Sequence, residues 1–240
     1  MVSLFMPIPE NIASIRARID EAARRSGRSS GEILLMAVSK THPPERIREA
    51  YNAGQRLFGE NRVQEFTEKF DALQDLSAAE WHMIGHLQSN KSAKTVELFG
   101  AVDSVDSLKL AERLNIAARG IGKTIDVLIE INVGGEASKS GLAPDSNDIE
   151  SLLSAAPRLE ALRFGGLMTV PPFTDDPEGS RKYFRGLREL RDSIVARQLP
   201  AVSMDQLSMG MSHDFEVAIE EGSTCVRVGT AIFGERPPLR

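Results

Sequence analysis

Residues Ile33 to Val38 form an unbroken apolar run, Ile33-Leu34-Leu35-Met36-Ala37-Val38, which passes directly into Ser39 and Lys40. Gly31 precedes the run, and Pro43-Pro44 follow it before a helical pattern begins. A short apolar run bounded in this way reads as a strand buried on both faces, as in parallel sheets. Parallel strands need crossover connections, usually helices, so the rest of the chain has to alternate. Lys40 then stands at the carboxyl end of a buried strand, where α/β folds bind ligands and do chemistry. A lysine there either marks the strand end and points into solvent, the commoner fate of lysine, or faces a site.

The remaining sequence alternates as required. A leading amphipathic helix places Ile8, Ile12, Ile15, Ile19 and Ala22-Ala23 on one face and stops near Gly27. Strand patterns follow at 33–40, 57–59, 81–86, 101–105, 125–133, 162–170, 206–209 and 224–228. Helical patterns lie between them at 44–53, 63–76, just before Phe99, 108–118, 148–156, 178–197 and 213–221. There is no internal repeat, no second compositional zone and no dividing linker. The expectation is one domain over residues 1–240: an α/β fold, a single (β/α)8 TIM-type barrel with an additional N-terminal helix. A doubly wound open sheet is the alternative, because periodicity does not separate the two.

Charge and cysteine content narrow the function classes. With 29 Lys+Arg against 34 Asp+Glu the net charge is −5, which offers no nucleic-acid surface. The one cysteine, Cys225, excludes an internal disulfide and a thiolate metal cage. A reducing compartment fits, and a cytoplasmic location is expected. Residues 1–7 lack the basic region and apolar core of a signal peptide. No apolar run approaches the ~18 residues that a membrane span needs.

On a barrel every strand end opens on one mouth. That mouth would gather Lys40, Asn61, His86, the Lys139 loop, Met168-Thr169, Ser208 and Gly229-Thr230. The loops after strands seven and eight of such barrels commonly bind phosphate. Here they read Ser208-Met209-Gly210-Met211-Ser212 and Arg227-Val228-Gly229-Thr230. Small residues let backbone N–H groups approach an anion, and the hydroxyls of Ser208 and Thr230 add donors. Plain turn chemistry competes, with Ser212 as an N-cap and Asp214 in the first helical turn. A strand-end lysine opposite a phosphate cradle points to a Schiff base with a phosphorylated aldehyde, because burial lowers a lysine's pKa and supplies free amine. Pyridoxal 5'-phosphate (PLP) is the common partner, and it needs a group near its pyridine nitrogen. Arg227 is placed to be that group, unless it pairs with an acid such as Glu216. His42, His82, His86 and His213 are dispersed without ligand spacing, so no metal site is expected. Gly134-Gly135 and Gly165-Gly166 do not form a dinucleotide fingerprint.

Five segments, in order, resemble the pyridoxal phosphate homeostasis proteins: Ala37-Val38-Ser39-Lys40-Thr41, Phe58-Gly59-Glu60-Asn61, residues 81–91 (Trp81 to Lys91), Leu207-Ser208-Met209-Gly210-Met211-Ser212, and residues 226–234 (Val226 to Gly234). The resemblance covers nearly the whole chain, and Gly165-Gly166-Leu167-Met168-Thr169 also fits it. It implies a barrel like the cofactor domain of alanine racemases, with PLP held on Lys40 as an internal aldimine. It further implies phosphate contacts from Ser208, Gly229 and Thr230, Arg227 at the ring nitrogen, and Asn61 and Met209 lining the cofactor. The implied role is intracellular PLP buffering and delivery to apo PLP-dependent enzymes, by a monomer, with no catalytic residue and no established turnover.

A PLP-dependent amino-acid racemase is the alternative. Two-base racemisation needs a second acid–base group facing the lysine, and alanine racemases take a tyrosine from a further domain and a partner subunit. The only tyrosines here, Tyr51 and Tyr183, fall on expected helices.

Overall fold

The structure is a computed structural model that describes residues 7–136 and 139–234. Its eight strands are β1 (Leu34–Val38), β2 (Leu57–Glu60), β3 (Glu80–Met83), β4 (Ala101–Val105), β5 (Ile125–Glu130), β6 (Leu162–Met168), β7 (Val202–Met211) and β8 (Cys225–Val228). They close in chain order into a barrel. Every neighbouring pair is parallel, and β8 returns to β1 with Leu34 opposite Cys225 and Ala37 opposite Val228. The barrel, rather than the open sheet, is therefore the fold.

A helix follows each strand: α2 (Pro44–Asn52), α3 (Val63–Phe70), α4 (Ser92–Leu98), α5 (Leu108–Gly120), α6 (Asn147–Ala155), α7 (Arg181–Val195), α8 (Phe215–Glu220) and α9 (Thr230–Phe233). The leading helix is α1 (Ile8–Arg25). Its stripe of Ile8, Ile12, Ile15, Ile19, Ala22 and Ala23 is buried throughout. α1 packs on α8, α9 and α2, held by Asn11 Nδ2 donating to the Ile232 carbonyl at 2.9 Å and by an Arg18–Glu216 ion pair at 3.0 Å. With only four residues in α9, α1 supplies the apolar cover that the last crossover helix is too short to give. No helix among the described residues is long and apolar enough to cross a membrane.

Several elements depart from the expected bounds, among them β5, which stops at Glu130 and not Val133, and α3, which stops at Phe70 and not Leu76. β3 ends at Met83, short of His86. A Cβ on Gly85 would stand 2.3 Å from the Asn61 carbonyl oxygen, so the chain there leaves the ladder and crosses the end of β2. β7 runs ten residues, beginning before Gln206 and continuing past Met209. Its early part includes Met204 at φ 60, an irregularity that breaks the period-2 signal. α9 is too short for any periodicity to announce it.

Candidate functional site

Six strand ends meet around a cavity of about 320 Å³ at the carboxyl mouth of the barrel. From β1 come Val38, Lys40 and His42, and from the ends of β2 and β3 come Asn61 and Ile84. From β7 come Met211, Ser212 and His213, and from β8 come Arg227, Gly229 and Thr230. Val170, after β6, and Gly234, after α9, complete the wall.

The turn after β1 carries Lys40, half-buried, between fully buried Ser39 and exposed Thr41. Ser39 Oγ donates to Glu60 Oε1 at 2.6 Å. His42 is buried and its ring stacks on Phe233 with centroids 4.6 Å apart. Asn61 lies directly past β2, and its Oδ1 is buried with no hydrogen-bond partner.

The β7 turn depends on Gly210. Its φ is +93°, and a Cβ there would come within 2.6 Å of the Ala218 Cβ, so only glycine fits. Asp214 Oδ1 accepts from the Met211 N–H at 2.8 Å and sets the next step of the turn. Asp214, not Ser212, is the N-cap residue of α8. Ser212 instead faces β8: its Oγ accepts from the Ala231 N–H at 3.4 Å, joining the two loops.

Arg227 is buried in the wall of the cavity. Its Nη1 donates to Ser208 Oγ at 2.7 Å and its Nη2 to the Thr169 carbonyl at 2.6 Å. Among the described residues no carboxylate lies within ion-pair distance of it, and Glu216 is taken by Arg18. Burial pushes the Arg227 pKa below its ordinary value, but a guanidinium still keeps its proton. A buried charge without a counterion calls for a ligand that accepts from it.

The structure thus brings Lys40, Asn61, Arg227, Gly229 and Thr230 to one cavity. Two residues expected beside them are placed elsewhere. Ser208 is fully buried and its hydroxyl orients Arg227. Met209 is fully buried in the apolar core. The reason is the length of β7: the strand runs on to Met211, so the mouth falls at Met211-Ser212. The Ser-Met-Gly-Met-Ser stretch offers two serines, and the glycine between them was the available signal that the chain turns after the first. His42 and His213, read only as possible metal ligands, were missed as cavity residues.

The other half of the mouth is polar. His86 Nδ1 is 3.2 Å from Asp106 Oδ2, and buried Glu130 accepts from Ser140 Oγ at 3.2 Å. Burial raises the Glu130 pKa against the pull of that hydroxyl. Lys139 Nζ lies 2.5 Å from Glu136 Oε2 and donates to the Pro171 carbonyl at 3.0 Å. Ala137 and Ser138 of this loop lie outside the described residues. Neither tyrosine lines the cavity: the Tyr51 hydroxyl accepts from Ala78 N–H at 3.4 Å, and Tyr183 sits on α7 beneath Lys182.

Fold and cavity together define a barrel of the alanine racemase type, and the family model described as "Alanine racemase, N-terminal domain" matches residues 11–237. An alanine racemase of Clostridium difficile, 16% identical with a TM-score of 0.71, shares this fold over 98% of the chain and 60% of its own. Closer relatives narrow the family. A pyridoxal phosphate homeostasis protein of Aquifex aeolicus is 47% identical over 227 residues, covering 95% of this chain and 97% of its own. One from Pseudomonas aeruginosa is 46% identical over 229 residues, covering 95% and 96%. PipY of Synechococcus elongatus, solved with PLP bound, is 38% identical with a TM-score of 0.81, covering 95% and 100%. The chain belongs to the pyridoxal phosphate homeostasis protein family.

Proposed function

We propose that this protein binds PLP reversibly as a Schiff base on Lys40 and serves as an intracellular, cytoplasmic carrier that buffers the cofactor and yields it to apo PLP-dependent enzymes. The observation that carries the reading is the pairing of a strand-end lysine with a buried, carboxylate-free arginine across one small cavity. The residues present fit the group. Arg227 offers donors that no carboxylate satisfies, and Asn61 Oδ1 is an orphaned acceptor in the same wall. Gly229 and Thr230 stand in the same wall, at the start of α9. When bound, PLP supplies an aldehyde that condenses reversibly with a primary amine, releasing water.

The chain's own residues do the rest. Lys40 presents the amine. Ser212, Gly229 and Thr230 would hold the phosphate, with two hydroxyls and the backbone where β8 enters α9. Arg227, fixed by Ser208 and Thr169, would stand at the ring nitrogen and oppose its protonation. An arginine there weakens the electron sink, but alanine racemases tolerate one, so the choice of storage over turnover rests on the second base. Neither tyrosine of this chain lines the cavity, and the two histidines of the wall have other contacts: His42 stacks on Phe233, and His213 Nε2 contacts the Thr174 carbonyl at 3.1 Å.

The test has two arms. Holo-protein mixed with an apo PLP enzyme should restore its activity while a scavenger removes free PLP. Holo-protein incubated with each L-amino acid in D2O should show neither α-deuteration nor D-isomer at an enzymatic rate. Turnover near the ~10 s⁻¹ typical of enzymes would contradict the carrier and support the racemase.

A further inference from the structure

Lys69, on α3, is a lysine withdrawn from water, with 8% of its side chain exposed. Its ammonium lies 2.9 Å from Oε1 of the fully buried Glu60. It also donates to the main-chain carbonyls of Ser39 at 3.1 Å and His42 at 3.3 Å. Ser39 Oγ bonds the same Glu60 oxygen. Glu65, one helical turn before Lys69, accepts from the Thr41 N–H and lies 3.5 Å from the Lys69 ammonium. Side chains of β2 and α3 therefore hold the carbonyl and hydroxyl of residue 39, the amide of residue 41 and the carbonyl of residue 42. Lys40 is the residue enclosed by these anchors.

The turn needs such anchoring. Thr41 sits at φ 63, a region that β-branched residues rarely enter, and backbone of this kind persists only where its surroundings over-determine it. The pair is poorly explained as a stabilising device. A buried ion pair is often no better than apolar packing of the same volume, and here Glu60 Oε2 is left without a partner. None of the three side chains lines the cavity, so their reach to the site is through the turn.

We propose that the Glu60–Lys69 pair, with Glu65, is a clamp that fixes the direction in which Lys40 enters the cavity, making these three positioning residues for cofactor attachment. The inference rests on the assignment of PLP to Lys40. It is tested with four proteins: wild type, Glu60→Gln/Lys69→Met, Lys40→Ala and the triple variant. The paired substitution removes both charges together, which buried pairs tolerate better than loss of one. Thermal melts check folding. PLP affinity by absorbance titration and the fraction trapped on residue 40 by borohydride are the readouts. With Lys40 present, the paired variant should bind PLP about tenfold more weakly and trap correspondingly less. In the Lys40→Ala background it should bind PLP as Lys40→Ala alone does. Equal losses in both backgrounds, or no loss in either, would overturn the clamp. Unchanged PLP affinity in Lys40→Ala alone would overturn the attachment reading, and the clamp with it. If the paired variant fails to fold, Glu65→Ala, at a partly exposed position, carries the test: roughly a threefold loss confined to proteins with Lys40 supports the clamp, and no loss overturns it.

Discussion

The barrel has a cavity at each end, and each measures about 320 Å³. They differ in how charge is disposed. At the amino end, lined by Glu80, His82, Asp103, Asp126, Arg163 and Asp205 among others, each cationic group has a carboxylate. His82 Nδ1 is 3.0 Å from Asp103, and Arg163 holds Asp126 at 2.5 and 2.9 Å. At the carboxyl end Arg227 has only neutral acceptors, and Asn61 Oδ1 has none. On the proposed function, the uncompensated group, and not the size of the hole, marks the working end. A buried charge left without a counterion is costly, and a ligand that accepts a hydrogen bond from it recovers part of that cost on binding.

The comparison breaks most visibly at Lys40. Lys40→Ala should reduce covalent PLP retention through desalting to background, while non-covalent binding persists through the phosphate contacts. Next in size are the hydroxyls of the mouth. Ser212→Ala and Thr230→Ala should each weaken PLP roughly tenfold, the value of one hydrogen bond to a charged acceptor, and leave unphosphorylated pyridoxal nearly unaffected. Ser208→Ala should weaken both ligands alike, because its partner is Arg227 and not the phosphate. Isothermal titration with the two ligands separates these outcomes.

The amino end should respond to pH and not to PLP. Burial pushes the His82 pKa down, but the charge and hydrogen bond of Asp103 outweigh it and leave it raised. A raised folded-state pKa means that the contribution is fully present below the unfolded value of about 6.5 and is lost as pH rises through the folded value. Thermal melts should therefore show wild type losing stability relative to His82→Gln as pH climbs from about 6 to 8. PLP affinity should follow the same pH course in both proteins. The smallest effect belongs to the exposed pair: Asp126→Asn should cost about 1 kcal/mol or less in chemical denaturation and leave PLP binding unchanged.

Much of this was legible before any coordinate. The Ile33–Val38 run, the alternation and the α1 stripe carried the parallel α/β architecture, because each rests on short-range patterns, whereas closure depends on β8 pairing with β1 across the whole chain. Lys40, Asn61, Arg227, Gly229 and Thr230 reach the cavity because a barrel sends every strand end to one mouth. What escaped depends on contacts distant in sequence. Ser208 differs from Ser212 only through the length of β7 and the left-handed turn at Gly210, which packing on Ala218 and Phe215 imposes. The Glu60–Lys69 pair was invisible because a lysine on an amphipathic helix reads as solvated until its burial is seen. His42 shows no metal-ligand spacing in the sequence, and its stacking on the Phe233 ring joins residues far apart in the chain.

The central claim is that Lys40 is the attachment point at the charged, uncompensated mouth. The most direct measurement is to saturate the wild-type protein with PLP, reduce with borohydride, digest, and locate the pyridoxyl group by mass spectrometry. The account predicts one dominant modified peptide, with the label on Lys40. A label found chiefly on another lysine, such as Lys139 across the mouth, or no label in protein that binds PLP, would contradict it.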